Sequence, residues 1–81
     1  MKLINTFPIE TKTVDYFGIQ LTVLRIVECL ATDEDGFIYA YREAPRLDDG
    51  AWLASNFDIF CMPVACVDLE CIDWKETLVQ V

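Results

Sequence analysis

Apolar and polar residues alternate most regularly between Lys12 and Val23. With Phe17-Gly18 as a two-residue loop, Tyr16 faces Ile19, Val14 faces Leu21 and Thr13 faces Thr22. Directly opposed residues share a sheet face. One face then carries Val14, Tyr16, Ile19, Leu21 and Val23, and the other carries Thr13, Asp15, Gln20 and Thr22. Two alternations in phase across one turn predict a β-hairpin. Phenylalanine is an unusual residue at a turn, so a longer loop with Gly18 at a bulge is the alternative.

A second hairpin is predicted from Ile26–Thr32 and Phe37–Tyr41, joined through Asp33-Glu34-Asp35-Gly36. Glycine adopts positive φ without steric cost and aspartate tolerates it, which makes Asp-Gly a hairpin cue. Phe37, Tyr39 and Tyr41 fall on one face and Ile38 and Ala40 on the other. Both faces are apolar, so this strand is expected to be central. Residues 44–50 read as a loop, and residues 51–56 as a short strand or a helical turn. The most apolar stretch, 57–69, contains Pro63. Proline cannot donate to a strand ladder, so that strand is expected to be an edge, bulged or split. Near the end, Asp73 with Glu76 three residues later resembles a helix cap. Residues 77–81 alternate and would equally suit a last strand.

These elements predict a single, mainly β domain over 1–81. The expected architecture is a small antiparallel meander curling into a barrel or sandwich, with a short helical turn near its C-terminal end. A chain of 81 residues has a thin stability margin, burying roughly 60–65% of its unfolded surface. Apolar residues make up 54% of the total, more than one small core needs. A second copy of the chain is the expected cover for the remainder, as a homodimer or other homo-oligomer.

Charge narrows the partners. Fourteen acidic residues against six basic ones give a net charge of −8, and the basic residues form no run. Direct nucleic-acid binding needs clustered Lys and Arg, and attraction to an anionic membrane needs them too, so neither is expected. No stretch reads as a secretory leader or a membrane span, which predicts a cytoplasmic location with reduced cysteines.

Candidate chemistry is sparse. Histidine is absent, which removes the commonest general base and transition-metal ligand. Cys61, Cys66 and Cys71 are spaced five apart, unlike the closer pairs of zinc knuckles, and such spacing along a regular strand alternates faces. The favoured reading is small apolar buried cysteines, over zinc, redox or disulfide roles. Asp33-Glu34-Asp35-Gly36 fails as a calcium loop, because Ala31 and Arg42 would stand where carboxylates are required. Asp48-Asp49, or Asp68 with Glu70, are the carboxylate pairs available for acid–base work. A solvated face is the favoured reading for them. The expectation is therefore no enzyme activity, no catalytic residues, no cofactor and no metal. Among the aromatics, Tyr39, Tyr41, Trp52, Phe60 and Trp74 form the candidate interaction surface, with Phe57 beside them, since Tyr and Trp dominate binding hot spots. Burial in the core is the competing reading for each.

The stretches Phe7-Pro8, Thr11-Lys12-Thr13-Val14, Tyr16-Phe17-Gly18, Leu21-Thr22-Val23, Leu30-Ala31-Thr32-Asp33 and Gly36 with Tyr39-Ala40-Tyr41, and the ending Asp73-Trp74-Lys75-Glu76-Thr77-Leu78, resemble short uncharacterised proteins encoded in bacteriophages and prophages. The resemblance covers about half of the chain and carries no functional residues. It implies a bacterial cytosol and a phage accessory role. Two functions fit: a protein-interaction module that self-associates or engages a bacterial host protein, or an acidic inhibitor that mimics nucleic-acid charge to block a host factor.

Overall fold

The computed structural model describes residues 1–6, 8–55 and 60–81. Strands β1 (Thr11–Tyr16) and β2 (Ile19–Leu24) form the first hairpin. Its register runs from Thr11↔Leu24 to Tyr16↔Ile19, as the alternation predicts. The loop has two residues, Phe17 at φ 50° and Gly18 at φ 81°. Positive φ at both central positions matches the twist of the flanking strands.

Strands β3 (Cys29–Thr32) and β4 (Phe37–Tyr41) form the second hairpin. The Gly36 N–H donates to the Asp33 carbonyl at 2.9 Å and the Asp33 N–H to the Phe37 carbonyl at 3.0 Å. Gly36 stands at φ 88°. β4 is central, as its two apolar faces require, with β3 on one side and β7 (Cys61–Cys66) on the other. β7 is an edge strand, and its register slips between Ile38↔Ala65 and Tyr39↔Pro63, leaving Val64 as a bulge. The proline thus sits at an edge and beside a bulge, where its missing N–H is tolerated.

Two expectations need correction. Residues 44–50 are not simply a loop: β5 (Arg46–Asp48) and β6 (Ala51–Leu53) form a third, short hairpin about Asp49-Gly50. The barrel alternative also fails. The four-stranded sheet runs β7-β4-β3-β8, with β8 (Val79–Gln80) at the far edge, and its edges do not meet. A barrel would need β7 and β8 to pair. Near its end the chain does both things the sequence suggested. A 3-10 turn spans Trp74–Glu76, with the Asp73 carboxylate accepting the Lys75 N–H at 3.0 Å, and β8 follows it.

The core lies on both faces of the four-stranded sheet. On one face Leu30, Ile38 and Ala40 pack with Tyr16, Val23 and Val27 of the first hairpin and the turn after it. On the other, Cys29, Ala31 and Tyr41 pack with Trp52 of β6. Residues 1–10 precede β1 as an exposed arm, apart from Phe7, which lies outside the described residues. The radius of gyration is 14.3 Å, against about 12 Å for a compact chain of this length. Among the described residues no helix is long and apolar enough to cross a membrane.

Candidate functional site

The tip of the first hairpin and the segment after β7 enclose a cleft of about 200 Å³. Its floor is the buried ring of Tyr16 with Thr32 and Thr77, and Phe17, Ile19, Leu69 and Ile72 form its apolar walls. A proton count fixes the floor. The Tyr16 hydroxyl spends its single proton on the Thr77 carbonyl at 2.9 Å. The Thr32 hydroxyl, 2.6 Å away, must therefore donate to Tyr16. Burial raises the Tyr16 pKa, and the hydrogen bonds with Thr32 and Thr77 partly oppose the rise. Every buried side-chain N or O among the described residues has a partner, so the floor offers no unspent polar group to a ligand.

Backbone strain gathers at the walls. Phe17 and Glu70 are the non-glycine residues at positive φ among those described, at 50° and 54°, and both line this cleft. A side-chain-bearing residue in that region costs roughly 1–2 kcal/mol. The Glu70 turn is held by the Ile72 N–H to the Leu69 carbonyl at 2.9 Å and by the Glu70 N–H to the Asp68 carboxylate at 2.9 Å. Phe17 stacks edge-on against Tyr16 with ring centroids 4.9 Å apart. It stays 49% exposed, and Ile19 and Ile72 stay 42% and 41% exposed.

The rim is acidic. A second, shallower concavity shares Asp68, Leu69, Glu70 and Ile72 with the cleft and adds Glu34 and Asp35. Neither concavity is lined by Lys or Arg. Further carboxylates lie elsewhere: Glu28 and Glu43 line one depression and Asp48 and Asp49 another. Asp33 is used internally: its carboxylate accepts the Trp52 N–H at 2.9 Å. Burial raises its pKa despite that bond.

The aromatics singled out in the sequence are not gathered on one surface. Tyr41 and Trp52 are buried, and Tyr39 and Trp74 pack against their cluster half-buried. The Trp52 indole N–H donates to the Trp74 carbonyl at 3.1 Å. Phe60 packs on the opposite face of the sheet. Phe57 lies outside the described residues. The cysteines also depart from expectation. Cys29 is buried, but Cys61, Cys66 and Cys71 are exposed. Cys61 opposes Tyr41 and Cys66 opposes Phe37, so the bulge at Val64 puts both on one face where unbroken alternation would separate them. Among the described residues no three His, Cys, Asp or Glu side chains gather as a metal site.

Phe17 was legible as an anomaly, being a poor turn residue in a clear turn. In 67–72 the sequence singled out Asp68 and Glu70 as a carboxylate pair, and both line the cleft, but the apolar Leu69 and Ile72 beside them carried no signal because their position depends on where the bulged β7 ends. No family model matches the chain, and no curated protein or solved structure shows significant similarity to it.

Proposed function

We propose that this chain is a non-catalytic protein-interaction module that associates with itself, and that the cleft at the hairpin tip is its contact surface. One observation carries the reading: two residues in costly backbone conformations, Phe17 and Glu70, flank an apolar cleft whose walls remain exposed. Strain of this kind persists where the surrounding structure over-determines it, and it clusters at functional sites. The volume also favours side chains over metabolites, since small-molecule sites run to roughly 300–1,000 Å³. The phage resemblance supports an accessory role in a bacterial host cytoplasm, with a host protein as the other class of partner.

A second reading, an acidic inhibitor that mimics nucleic-acid charge, draws on the net charge of −8. Eight of the fourteen carboxylates are divided among three separate concavities, which fits a continuous phosphate-like track less well.

The test is native mass by light scattering over a concentration series, for the unaltered chain and for Ile72→Asp. Ile72 is exposed in the single chain, so its substitution spares the core. The expected result is an oligomer that Ile72→Asp converts to monomer. A unaltered chain that stays monomeric at millimolar concentration overturns the reading.

A further inference from the structure

We propose that the occupant of the cleft is the arm of a second copy of this chain, with the apolar side chains around Leu3 and Ile4 seated between Phe17, Ile19 and Ile72. The inference rests on the self-association reading above and names the segment that performs it.

Among the described residues the arm leaves the most apolar surface uncovered. Met1, Ile4, Leu3 and Ile9 are the four most exposed large apolar side chains among those described, at 126%, 98%, 79% and 78%. Within the arm the Thr6 N–H bonds the neighbouring Asn5 side chain. Its tie to the body is at its base, where the Glu10 carbonyl accepts the Arg25 N–H at 3.0 Å beside an exposed Glu10–Arg25 ion pair. Apolar side chains so placed gain free energy from any apolar surface that covers them.

Charge complementarity selects the cleft as that surface. Lys2 lies directly before Leu3 and Ile4. The cleft presents apolar walls with Asp68 and Glu70 at the mouth and Glu34 and Asp35 beyond. A basic residue next to apolar ones matches an apolar cleft with an acidic rim. Pairing along the edges of the four-stranded sheet is a poorer route. β7 carries Pro63 and a bulge, and β8 is two residues long, both features that blunt sheet edges.

Geometry favours a second copy over the arm's own cleft. The arm ends at Glu10, just before β1, while the cleft lies at the Tyr16 end, six residues or about 20 Å away along the strand. Leu3 is at most about 24 Å of extended chain from Glu10. Closing on itself would require a sharp reversal followed by full extension with almost no slack.

The test is an engineered cross-link. Cys71 borders the cleft between Glu70 and Ile72 and is exposed. Ile4→Cys is made together with Cys61→Ser and Cys66→Ser, oxidised mildly, and run on a non-reducing gel with peptide mapping. The same chain without Ile4→Cys is the control. A disulfide between the introduced thiol and Cys71 of another copy is expected, absent from the control. The same link within one chain, or no link, overturns the inference.

Light scattering separates this inference from the reading beneath it. Leu3→Asp/Ile4→Asp is expected to weaken association by more than about tenfold, and Lys2→Glu by about two- to fivefold, the size of one exposed ion pair. Association lost with Ile72→Asp but unchanged by Leu3→Asp/Ile4→Asp overturns the arm while leaving self-association through the cleft in place. No association in the unaltered chain overturns both.

Discussion

The Thr77 hydroxyl stands in for a missing strand partner of Thr32, accepting its backbone N–H at 2.9 Å. β3 pairs β8 through Cys29↔Gln80 and Leu30↔Val79. Continued, that register would set Thr77 opposite Thr32. Thr77 instead closes the 3-10 turn with φ −93° and ψ −1°, so its backbone cannot extend the ladder. Its side chain takes over, accepting from Thr32 and lying 2.7 Å from the Trp74 carbonyl and 3.1 Å from that of Thr32.

Thr77→Val keeps the shape and removes the acceptor, leaving the Thr32 N–H buried without a partner. Such a group costs about 1–3 kcal/mol. Thr77→Ser retains the hydroxyl and is expected to cost less than about 1 kcal/mol, the loss of one methyl group. Urea denaturation of the two variants checks this. Equal midpoints for Val and Ser would show that the hydroxyl contributes nothing.

Gly36 and Gly18 share a positive φ but not a neighbourhood. At Gly18 a Cβ would meet open space. At Gly36 it would run into the Val67 carbonyl, whose own N–H donates to the Gly36 carbonyl at 2.8 Å. Gly18→Ala is therefore expected to cost about 1 kcal/mol, the left-handed penalty alone. Gly36→Ala adds displacement of the segment leading into the cleft, for a total above about 3 kcal/mol. Thermal unfolding of the pair is the comparison. A Gly36→Ala variant no worse than Gly18→Ala would mean Val67 moves aside freely.

Most strands were legible because their burial is periodic. Val14, Tyr16, Leu21 and Val23 declare a face, and the Asp35-Gly36 turn fixes the next hairpin. The effect of Pro63 followed from its missing N–H. The β5–β6 hairpin was hidden because Arg46–Asp48 is exposed throughout and has no apolar period to read, although Asp49-Gly50 held the same turn cue as Asp35-Gly36. The site was the least legible part. Tyr41 and Trp52 are aromatic for packing, while the cleft joins elements far apart in sequence and contributes no motif. The cysteine faces were misjudged because one bulged residue, Val64, reverses every face beyond it.

Alkaline pH should destabilise the fold earlier than one buried tyrosine alone would. Burial raises the pKa of Cys29 above 9.0 and of Tyr16 and Tyr41 above 10.0, and partial desolvation of its thiol raises that of Cys61, whose residue stays exposed as a whole. The proton is thus held more tightly in the folded chain than in the unfolded one. Below about pH 8 both states keep these four protons and their contribution to stability is flat. As pH rises through 9 to 10 the unfolded state loses protons first, and stability falls. Tyr41→Phe removes a long 3.4 Å bond to the Trp52 carbonyl and the hydroxyl's hydrogen bond with the Cys61 thiol, so at pH 7 it should cost about 1 kcal/mol. It should also visibly flatten the decline above pH 10. Denaturation midpoints between pH 7 and 11 report both. A decline as steep in the variant as in the unaltered chain would place the linked proton elsewhere.

Phe17 separates what the fold needs from what contact needs. Its φ of 50° is one that asparagine adopts readily and phenylalanine does not. Asn-Gly is also the favoured pair for this two-residue turn. Phe17→Asn therefore relieves about 1 kcal/mol of backbone strain. It gives up the edge-on contact with Tyr16, which for a half-exposed ring is worth about 0.5 kcal/mol. It also loses the buried half of the ring, roughly 1 kcal/mol of apolar burial, so the relief of strain is offset and the single chain should change in stability by no more than about 1 kcal/mol. Its association should weaken, because an exposed apolar wall of the cleft is gone. Unfolding must be measured at low concentration, since association would add its own stabilisation to the unaltered chain. Mass by light scattering then supplies the second readout. Stability kept within about 1 kcal/mol together with weaker association identifies Phe17 as a residue retained for contact. Lower stability with unchanged association would return it to the core of the hairpin and remove the chief support for the cleft as a binding surface.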